Sequence, residues 1–403
     1  MDSVKMQWVE CPLLDGDGSA LHPPSCSDDE DEENAVDLLN RREGHCATVI
    51  LASPADDEAH SASSWIVVCG GYTRGIVSAV PLVAPASLLP ALMWKELPTV
   101  DEFECDGASL TSMNVAACVA GSRSNLVSSA LVAYLFGGFD RDMSLRNTLY
   151  AVTLGSEEGE GGGWVPTSVN VEEVKTTGDV PTARARHSAG VSDSRLFIFG
   201  GETATQEQTS DLYVCDVRTG VWRSLSASPA CPAPRLLSSS LVLLSPTTFV
   251  LYGGSHFVEG AVQSFADAWR LDIDTETWTQ ITAVMATDER RDLLPRSNGH
   301  AGGAVVLPPP TTKSEPTHRC TCAVFVGGKN ISEGDDRVKM IRLSPRDGTA
   351  DVCVRAALPA VGTGSFPHWR YTPAVVPTQK GLLLLAGQCR HAQVPSSFLL
   401  TFE

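Results

Sequence analysis

Four arginines recur in a short element that leads into small residues, and three of the copies add a histidine. The copies are Arg42-Glu-Gly-His45, Arg184-Ala-Arg-His187, Arg235-Leu-Leu-Ser238 and Arg296-Ser-Asn-Gly-His300. A guanidinium binds a carboxylate or phosphate through two parallel hydrogen bonds, so a ring of such groups could hold an acidic peptide or a small anion. Arginines in repeats can equally fix a turn by pairing with a carboxylate of their own chain. The sequence leaves both interpretations open.

Motifs of the common catalytic and metal sites are absent from the sequence. There is no Gly-rich loop ending in Lys-Ser/Thr, no His-Glu-x-x-His and no Gly-x-Ser-x-Gly. Cys320 and Cys322 would project to one face of a strand, but no companion pair stands at zinc spacing. We therefore predict no cofactor, no bound metal and no enzymatic activity.

Strand-length apolar runs that end in two glycines organise the chain. The pairs are Gly70-Gly71, Gly137-Gly138, Gly200-Gly201, Gly253-Gly254, Gly327-Gly328 and a degenerate sixth copy, Ala386-Gly387. Glycine permits a positive φ and a close approach of backbones, which suits the crowded inner strands of a closed architecture. The runs are rich in β-branched residues, which excludes a helical repeat.

Downstream of the glycine pairs come an Asp or Asn, a strand, a turn and a tryptophan. The segments Asp211 to Trp222 and Asp267 to Trp278 match each other along their whole length. This arrangement resembles the Kelch repeat, and the resemblance covers nearly the whole chain. It implies an all-β, six-bladed propeller in which four-stranded blades stack around an axis. The tryptophans are expected to fill the space between blades at larger radius.

The last copy of the repeat is incomplete, and this predicts how the ring closes. The sixth copy ends at Phe402 without a tryptophan strand, whereas Trp8 lies in a strand-like segment with no blade before it. We predict that residues 6–11 complete the last blade, so that 1–403 form a single propeller domain. The acidic segment 15–39 then becomes a loop between the closing strand and the first blade, with Ser27 a candidate regulatory site in front of the acids.

The resemblance implies that one rim of the propeller carries the binding surface. The recurring arginines and the variable residues after the glycine pairs fall on that rim, where aromatic residues and arginine are typical of interfaces. The alternative is that they cap the channel mouth and face water. The predicted partner-binding residues are Arg42, Tyr72, Arg74, Phe139, Arg141, Arg184, Glu202, Arg235, His256, Phe257, Arg296, Lys329, Asn330, His368 and Arg390.

The predicted function is a non-enzymatic scaffold or adaptor that binds a protein or peptide, an acidic segment in particular. Charge reversal at Arg184 and Arg235 should then abolish partner capture without changing thermal unfolding. The alternative is a propeller enzyme acting on a small anionic metabolite, of the sugar-acid epimerase or mutarotase type. Relatives of that type place Arg, His and Glu around the axis, and Arg184, His187 and Glu202 could supply such a set.

Charge and hydropathy narrow the range of partners and locations. Against 48 acidic residues stand 30 basic ones, for a net charge of −18, which disfavours nucleic acids and membrane surfaces. No apolar run approaches the length of a membrane span, and we find no secretory signal at the N-terminus. We predict a cytoplasmic protein with reduced cysteines, either a monomeric propeller or a subunit of a larger complex.

Overall fold

The computed structural model describes most of the chain. The described residues are 4–14, 42, 44–52, 63–73, 76–77, 80–99, 109–112, 132–160, 162–205, 207–225, 230–237, 241–281, 294–307, 320–330, 333–344, 350–360, 367–388 and 397–403. Within these ranges the regular structure is β-strand, apart from one 3-10 turn at Ala86–Leu88. None of them forms a helix with the length and apolar character to cross a membrane.

The strands form six antiparallel sheets of four main strands each, which are the blades of a six-bladed β-propeller. Blade 1 contains Cys46–Ala52, Ser63–Cys69, Leu82–Pro85 and Lys95–Glu96; blade 2 contains Ser109–Ser112, Ala133–Phe136, Leu149–Glu158 and Trp164–Glu173; blade 3 contains Ser188–Ser192, Arg195–Phe199, Leu212–Asp216 and Val221–Leu225. Blade 4 contains Val242–Ser245, Thr248–Tyr252, Ala268–Asp272 and Thr277–Gln280; blade 5 contains Asn298–Leu307, Cys320–Asn330, Val338–Leu343 and Ala350–Arg355; blade 6 contains Ala374–Thr378, Gly381–Leu385, Ser397–Phe402 and Met6–Glu10.

Short strands decorate the connections between these main strands. Thr177–Gly178 runs parallel to the outer strand of blade 3, and Glu333–Gly334 pairs with the second strand of blade 5. Four two-stranded pairs are Leu13–Leu14 with Leu92–Met93, Tyr72–Thr73 with Ile76–Val77, Arg184–Ala185 with Glu202–Thr203, and Ser255–Val258 with Ala261–Ser264.

The predicted ring closure is confirmed. Met6–Glu10 pairs antiparallel with Ser397–Phe402, so that Met6 lies opposite Phe402 and Glu10 opposite Phe398. The first and last described strands therefore share blade 6. The acidic segment 15–39, with Ser27, lies outside the described residues.

A separate apolar cluster fills each of the six spaces between neighbouring blades. One cluster joins blade 6 to blade 1 and another joins blade 5 to blade 6, so burial continues across the closing strand. The remaining four join blades 1 and 2, 2 and 3, 3 and 4, and 4 and 5. Trp222 of blade 3 packs on Phe136 of blade 2, with ring centroids 5.2 Å apart. The tryptophan therefore packs between two blades, as the sequence predicted.

In blades 2 to 6 the glycine pair, or Ala386-Gly387 in blade 6, joins the blade to the next one. The second glycine donates its N–H to a backbone carbonyl of the following blade, in the bonds Gly138 to Arg184 (2.9 Å), Gly201 to Arg235 (2.9 Å), Gly254 to Ser297 (2.8 Å), Gly328 to Arg370 (2.6 Å) and Gly387 to Arg42 (3.3 Å). The same carbonyl approaches the first glycine so closely that a Cβ on Gly253 would lie 2.5 Å from the Ser297 oxygen. The close backbone approach expected of these glycines is therefore present.

A second set of backbone hydrogen bonds between blades lies in the Arg/His element, two residues after the carbonyls that the glycine pairs bind. The residues there adopt a positive φ in five blades, as Gly44, Arg186, Leu237, Gly299 and Thr372. Leu237 N–H donates to the Arg186 carbonyl at 3.0 Å, Gly299 to Leu237 at 2.8 Å and Thr372 to Gly299 at 2.7 Å. The Arg/His element is therefore where blades 3 to 6 are tied to one another.

Candidate functional site

The face of the ring at which the second strands end in their glycine pairs is called here the glycine rim. It carries the predicted partner-binding residues that the structure describes. Arg74 and Arg390 lie outside the described residues. Of the remaining candidates, Arg42, Arg184 and Arg235 are buried, and the others are half-buried or exposed.

Arg184 is a buried structural residue. None of it is exposed, and its two terminal nitrogens donate to the Asp211 carboxylate, Nη1 to Oδ1 at 2.7 Å and Nη2 to Oδ2 at 3.0 Å. Nη1 also donates to the Gly200 carbonyl at 2.9 Å, and Nε donates to the Thr182 carbonyl at 3.0 Å. Burial alone would raise the pKa of Asp211, but the hydrogen bonds and charge of Arg184 outweigh it and hold that pKa below its ordinary value.

Arg235 repeats this arrangement in blade 4. It is 1% exposed and donates to Asp267 at 2.8 and 3.0 Å, to the Gly253 carbonyl at 2.9 Å and to the Ala233 carbonyl at 2.9 Å. The placement of Arg184 and Arg235 on an open binding mouth is therefore corrected. Their charge is already neutralised inside the blade, and pairing with a carboxylate of the chain itself is the interpretation that the geometry supports.

The other arginine positions also depart from the predicted ring. Arg42 is fully buried, and its Nη1 donates to the Val80 carbonyl at 3.1 Å. Arg296 is exposed. The carbonyl that the preceding glycine pair binds belongs to Ser297, so Arg296 lies one residue before the position that Arg184 and Arg235 occupy in their blades. In blade 6 the corresponding residue is Arg370, which is buried, while His368 lies two residues before it and is half-buried.

Blade 5 replaces the missing arginine with a lysine from another strand. Lys339 is fully buried in the third strand, and its Nζ donates to the Gly327 carbonyl at 3.1 Å, as the arginines do to Gly200 and Gly253. It also lies 3.3 Å from Asp335. Burial lowers the pKa of Lys339 to about 8, against the opposing charge of Asp335. Sequence reasoning missed this residue, although a lysine inside the apolar strand Val338–Leu343 was a visible signal.

The recurring histidines are part of the same packing. His45, His187 and His300 are buried, and His300 Nε2 lies 3.1 Å from the Tyr252 carbonyl of the preceding blade. Burial, reinforced by a nearby buried cation, lowers the pKa of each to about 3. These imidazoles are therefore neutral inter-blade contacts at ordinary pH.

We expect His300→Gln to reduce the acid sensitivity of the fold. The folded protein keeps His300 neutral down to about pH 3, whereas the unfolded chain binds a proton below about pH 6.5. Stability is therefore complete above pH 6.5 and falls as the pH drops toward 3, by up to about 1.4 kcal/mol per pH unit for one histidine. Urea unfolding between pH 6.5 and 4.5 would measure this slope. An unchanged slope in the variant would contradict the assignment.

A chain of contacts links the candidates Phe139, Glu202 and Phe257 of blades 2, 3 and 4. The Arg186 guanidinium lies 5.5 Å from the centre of the Phe139 ring and 2.8 Å from the Glu202 carboxylate. Glu202 forms an isolated bridge with Gln208, whose side-chain oxygen accepts the Phe257 N–H at 2.8 Å. This continuous surface is called here the blade 2–4 sector.

The blade 2–4 sector includes a projecting apolar hairpin. Its strands are Ser255–Val258 and Ala261–Ser264, and Phe257 lies directly opposite Val262. Phe257 is 55% exposed and Val262 44% exposed. Of the other candidates in this sector, His256 on the same hairpin is half-buried and Arg141 in blade 2 is exposed. Sequence reasoning singled out Phe257 but missed Val262 and Gln208.

The predicted residues of blades 1 and 5 lie apart from this chain of contacts. Tyr72 of blade 1 is half-buried. In blade 5, Lys329 is half-buried with its ammonium 3.8 Å from the centre of the Tyr371 ring, and Asn330 is exposed at the end of its strand. The structure thus brings five of the predicted residues together in the blade 2–4 sector, namely Phe139, Arg141, Glu202, His256 and Phe257.

Comparison with known proteins gives a family match over more than half of the chain. A model of the KLHDC2/KLHL20/DRC7 Kelch-repeats domain matches residues 59–301. Acyl-CoA-binding domain-containing protein 5 of Arabidopsis thaliana is 30% identical over 32% of this chain and 18% of its own length. Kelch domain-containing protein 3 of Bos taurus is 32% identical over 25% of this chain and 26% of its own.

A fourth match carries the name of an enzyme. The N-(sulfonatooxy)prop-2-enimidothioate sulfolyase of Thlaspi arvense is 31% identical over 27% of this chain and 30% of its own length. This chain therefore spans less than a third of the length of each of these curated relatives.

Proposed function

This chain belongs to the Kelch-repeat family, and on that premise we propose that it is a non-enzymatic scaffold or adaptor that binds a partner through the glycine rim. Propellers of this family commonly act in protein interaction. Within the rim we assign the contact to the blade 2–4 sector, with Phe139, Arg141, Glu202, His256 and Phe257 among the contact residues. The periodic arginines would serve to hold this surface in place.

One observation carries the assignment, the exposed pair of Phe257 and Val262 on a hairpin that projects from the ring. In the described ranges, the large hydrophobic side chains that are exposed are Leu88, Met143, Val221, Phe257, Val262 and Leu358. Met143, Phe257 and Val262 all follow glycine pairs in blades 2 and 4. Clustered exposed apolar side chains are typical of interaction surfaces, and aromatic anchors dominate binding energy.

Catalysis on a small anion has less support from the geometry. The set considered from the sequence was Arg184, His187 and Glu202. Arg184 is enclosed with Asp211, His187 is buried with a pKa lowered to about 3 chiefly by burial, and Glu202 is paired with Arg186. A general acid or base needs a pKa near the working pH and access to its substrate. The sulfolyase relative keeps the alternative under consideration, but these three residues do not form its site.

We expect the double variant Phe257→Ser/Val262→Ser to lose its partner while remaining folded. Truncating an apolar anchor at the centre of an interface typically costs 2 kcal/mol or more, about a 30-fold loss of affinity. Affinity capture from native extract, quantified by mass spectrometry against the wild-type chain, would measure the loss. The matched control is Leu88→Ser/Val221→Ser, which changes two exposed apolar residues outside the sector.

A protein that is captured by wild type and control but not by the hairpin variant is the expected result. Equal capture by all three chains would refute the proposed surface. The cytoplasmic location, the monomeric state and the exclusion of nucleic acid and membrane partners stay predictions from the sequence.

A further inference from the structure

We propose that the blade 2–4 sector takes a basic segment of a partner protein that also carries apolar side chains. This inference rests on the proposed function and names the chemistry of the partner. It reverses the acidic peptide predicted from the sequence, because that prediction depended on a ring of arginines, and the structure buries Arg42, Arg184 and Arg235 of that ring.

Two exposed arginines of the sector, Arg186 and Arg146, are already matched by carboxylates of the chain. Arg186 lies 2.8 Å from Glu202, and Arg146 lies 3.1 Å from Asp140. Arg141 also has an interaction partner within the chain. An incoming acidic peptide would have to displace these pairs, and it would regain only what the internal carboxylates already provide.

Exposed carboxylates accompany the exposed apolar side chains. Asp142 precedes Met143, and Glu259 stands at the tip of the hairpin two residues after Phe257. Glu207 precedes Gln208, the residue that holds the Phe257 backbone. These three carboxylates are exposed, and within the described residues no salt bridge neutralises them. An apolar side chain flanked by free negative charge suits a ligand that alternates apolar and cationic groups.

The overall charge of the chain acts in the same direction. At −18 the field of the molecule attracts cationic segments and speeds their association, while the apolar pair slows their release. Nucleic acids would gain nothing from this arrangement, since their phosphates would face the same free carboxylates. The described part of the sector therefore selects a basic polypeptide segment.

Selection from a random-peptide phage library tests the proposal. The library is selected on the wild-type chain after depletion on Phe257→Ser/Val262→Ser, which removes binders to other faces. We expect the recovered peptides to be enriched in Lys and Arg together with large apolar residues. Recovery of acidic or uncharged sequences, or of no enriched sequence, would overturn the proposal.

Affinity measurements on a recovered peptide then separate specific contact from general attraction. Glu207→Gln/Glu259→Gln should weaken binding about tenfold, since each exposed ion pair contributes up to about fivefold. The control Glu157→Gln/Glu158→Gln removes the same charge from an exposed ribbon of blade 2 and should leave binding within about twofold. Equal losses in the two variants would show attraction by net charge alone and would overturn the assignment.

The two proposals fail in different ways. If native capture depends on Phe257 and Val262 but the selected peptides carry no basic bias, the proposed function stands and the basic partner is wrong. If native capture is indifferent to the hairpin, the proposed surface fails whatever the peptides show.

Discussion

Replacement of Arg235 by methionine should lower the free energy of unfolding by about 3–5 kcal/mol, the cost of leaving a buried charge without its partner. Asp267 would keep its charge at a site where its side chain is only 20% exposed. The Gly253 and Ala233 carbonyls would lose a donor as well. Because water can reach part of Asp267, we expect the lower end of this range. Urea unfolding followed by tryptophan fluorescence would measure it.

Two further variants make this result specific to the buried pair. Arg296→Met removes an arginine from the same sequence element, but that residue is exposed and should cost about 1 kcal/mol or less. The double variant Arg235→Met/Asp267→Asn should be more stable than Arg235→Met, since no uncompensated charge remains. Equal losses for Arg235→Met and Arg296→Met would contradict the structural role.

The same burial changes what a charge-reversal experiment would report. From the sequence, reversing Arg184 and Arg235 should abolish partner capture with thermal unfolding unchanged. In the structure either reversal places a carboxylate against Asp211 or Asp267 inside a blade. Capture would then be lost through unfolding, and the experiment would say nothing about binding. We therefore expect thermal unfolding to change in the double variant, contrary to the expectation from the sequence.

The blades and their closure could be predicted because the residues that mark them are required by the local backbone geometry. A glycine pair suits a place where the next blade brings a carbonyl against it, as Ser297 does at Gly253. Trp8 indicated a strand without a blade, and it lies in the strand that pairs with Phe398 to Phe402. Such features depend on spacing along the chain, which the sequence displays directly.

The role of the arginines was harder to predict because their partners lie far along the chain. Arg184 binds Asp211 and Arg235 binds Asp267, each across a whole hairpin. A signal was present, since an Asp directly precedes the third strand in blades 3 and 4. In blade 5 the residue directly before the third strand is Arg337, and the buried cation is Lys339 within that strand.

Residues that recur in the repeat stabilise the fold, whereas residues that contact a partner are expected where the blades differ. A residue that recurs from blade to blade serves a contact that the blades share, either within one blade, as Arg235 with Asp267, or with the next blade, as Gly254 with Ser297. Recognition of one partner depends on where blades differ, as the hairpin around Phe257 differs from the short turns of other blades. The exposure of Val262 follows from the pairing of that hairpin, which no repeat in the sequence predicts.

The second large loss of stability is expected for Gly253→Ala, because the glycine pairs lie against the next blade. A Cβ there would meet the Ser297 oxygen at 2.5 Å and the His300 ring at 2.8 Å, and the residue has a φ of +60°. A positive φ costs a non-glycine residue about 1–2 kcal/mol. Overpacking a tight site adds about 1–3 kcal/mol. We therefore expect the free energy of unfolding to fall by roughly 2–5 kcal/mol.

Gly260→Ala separates the two contributions to that loss. Gly260 has a φ of +81°, but a Cβ there would meet nothing within 4 Å, because the residue lies at the exposed tip of the hairpin. Its substitution should cost only the backbone term, about 1–2 kcal/mol. The excess loss in Gly253→Ala then measures how tightly blade 5 presses its carbonyl against blade 4. Equal losses at the two positions would mean that the blades can move apart to admit a methyl group, and that the glycine pairs are needed for their φ alone.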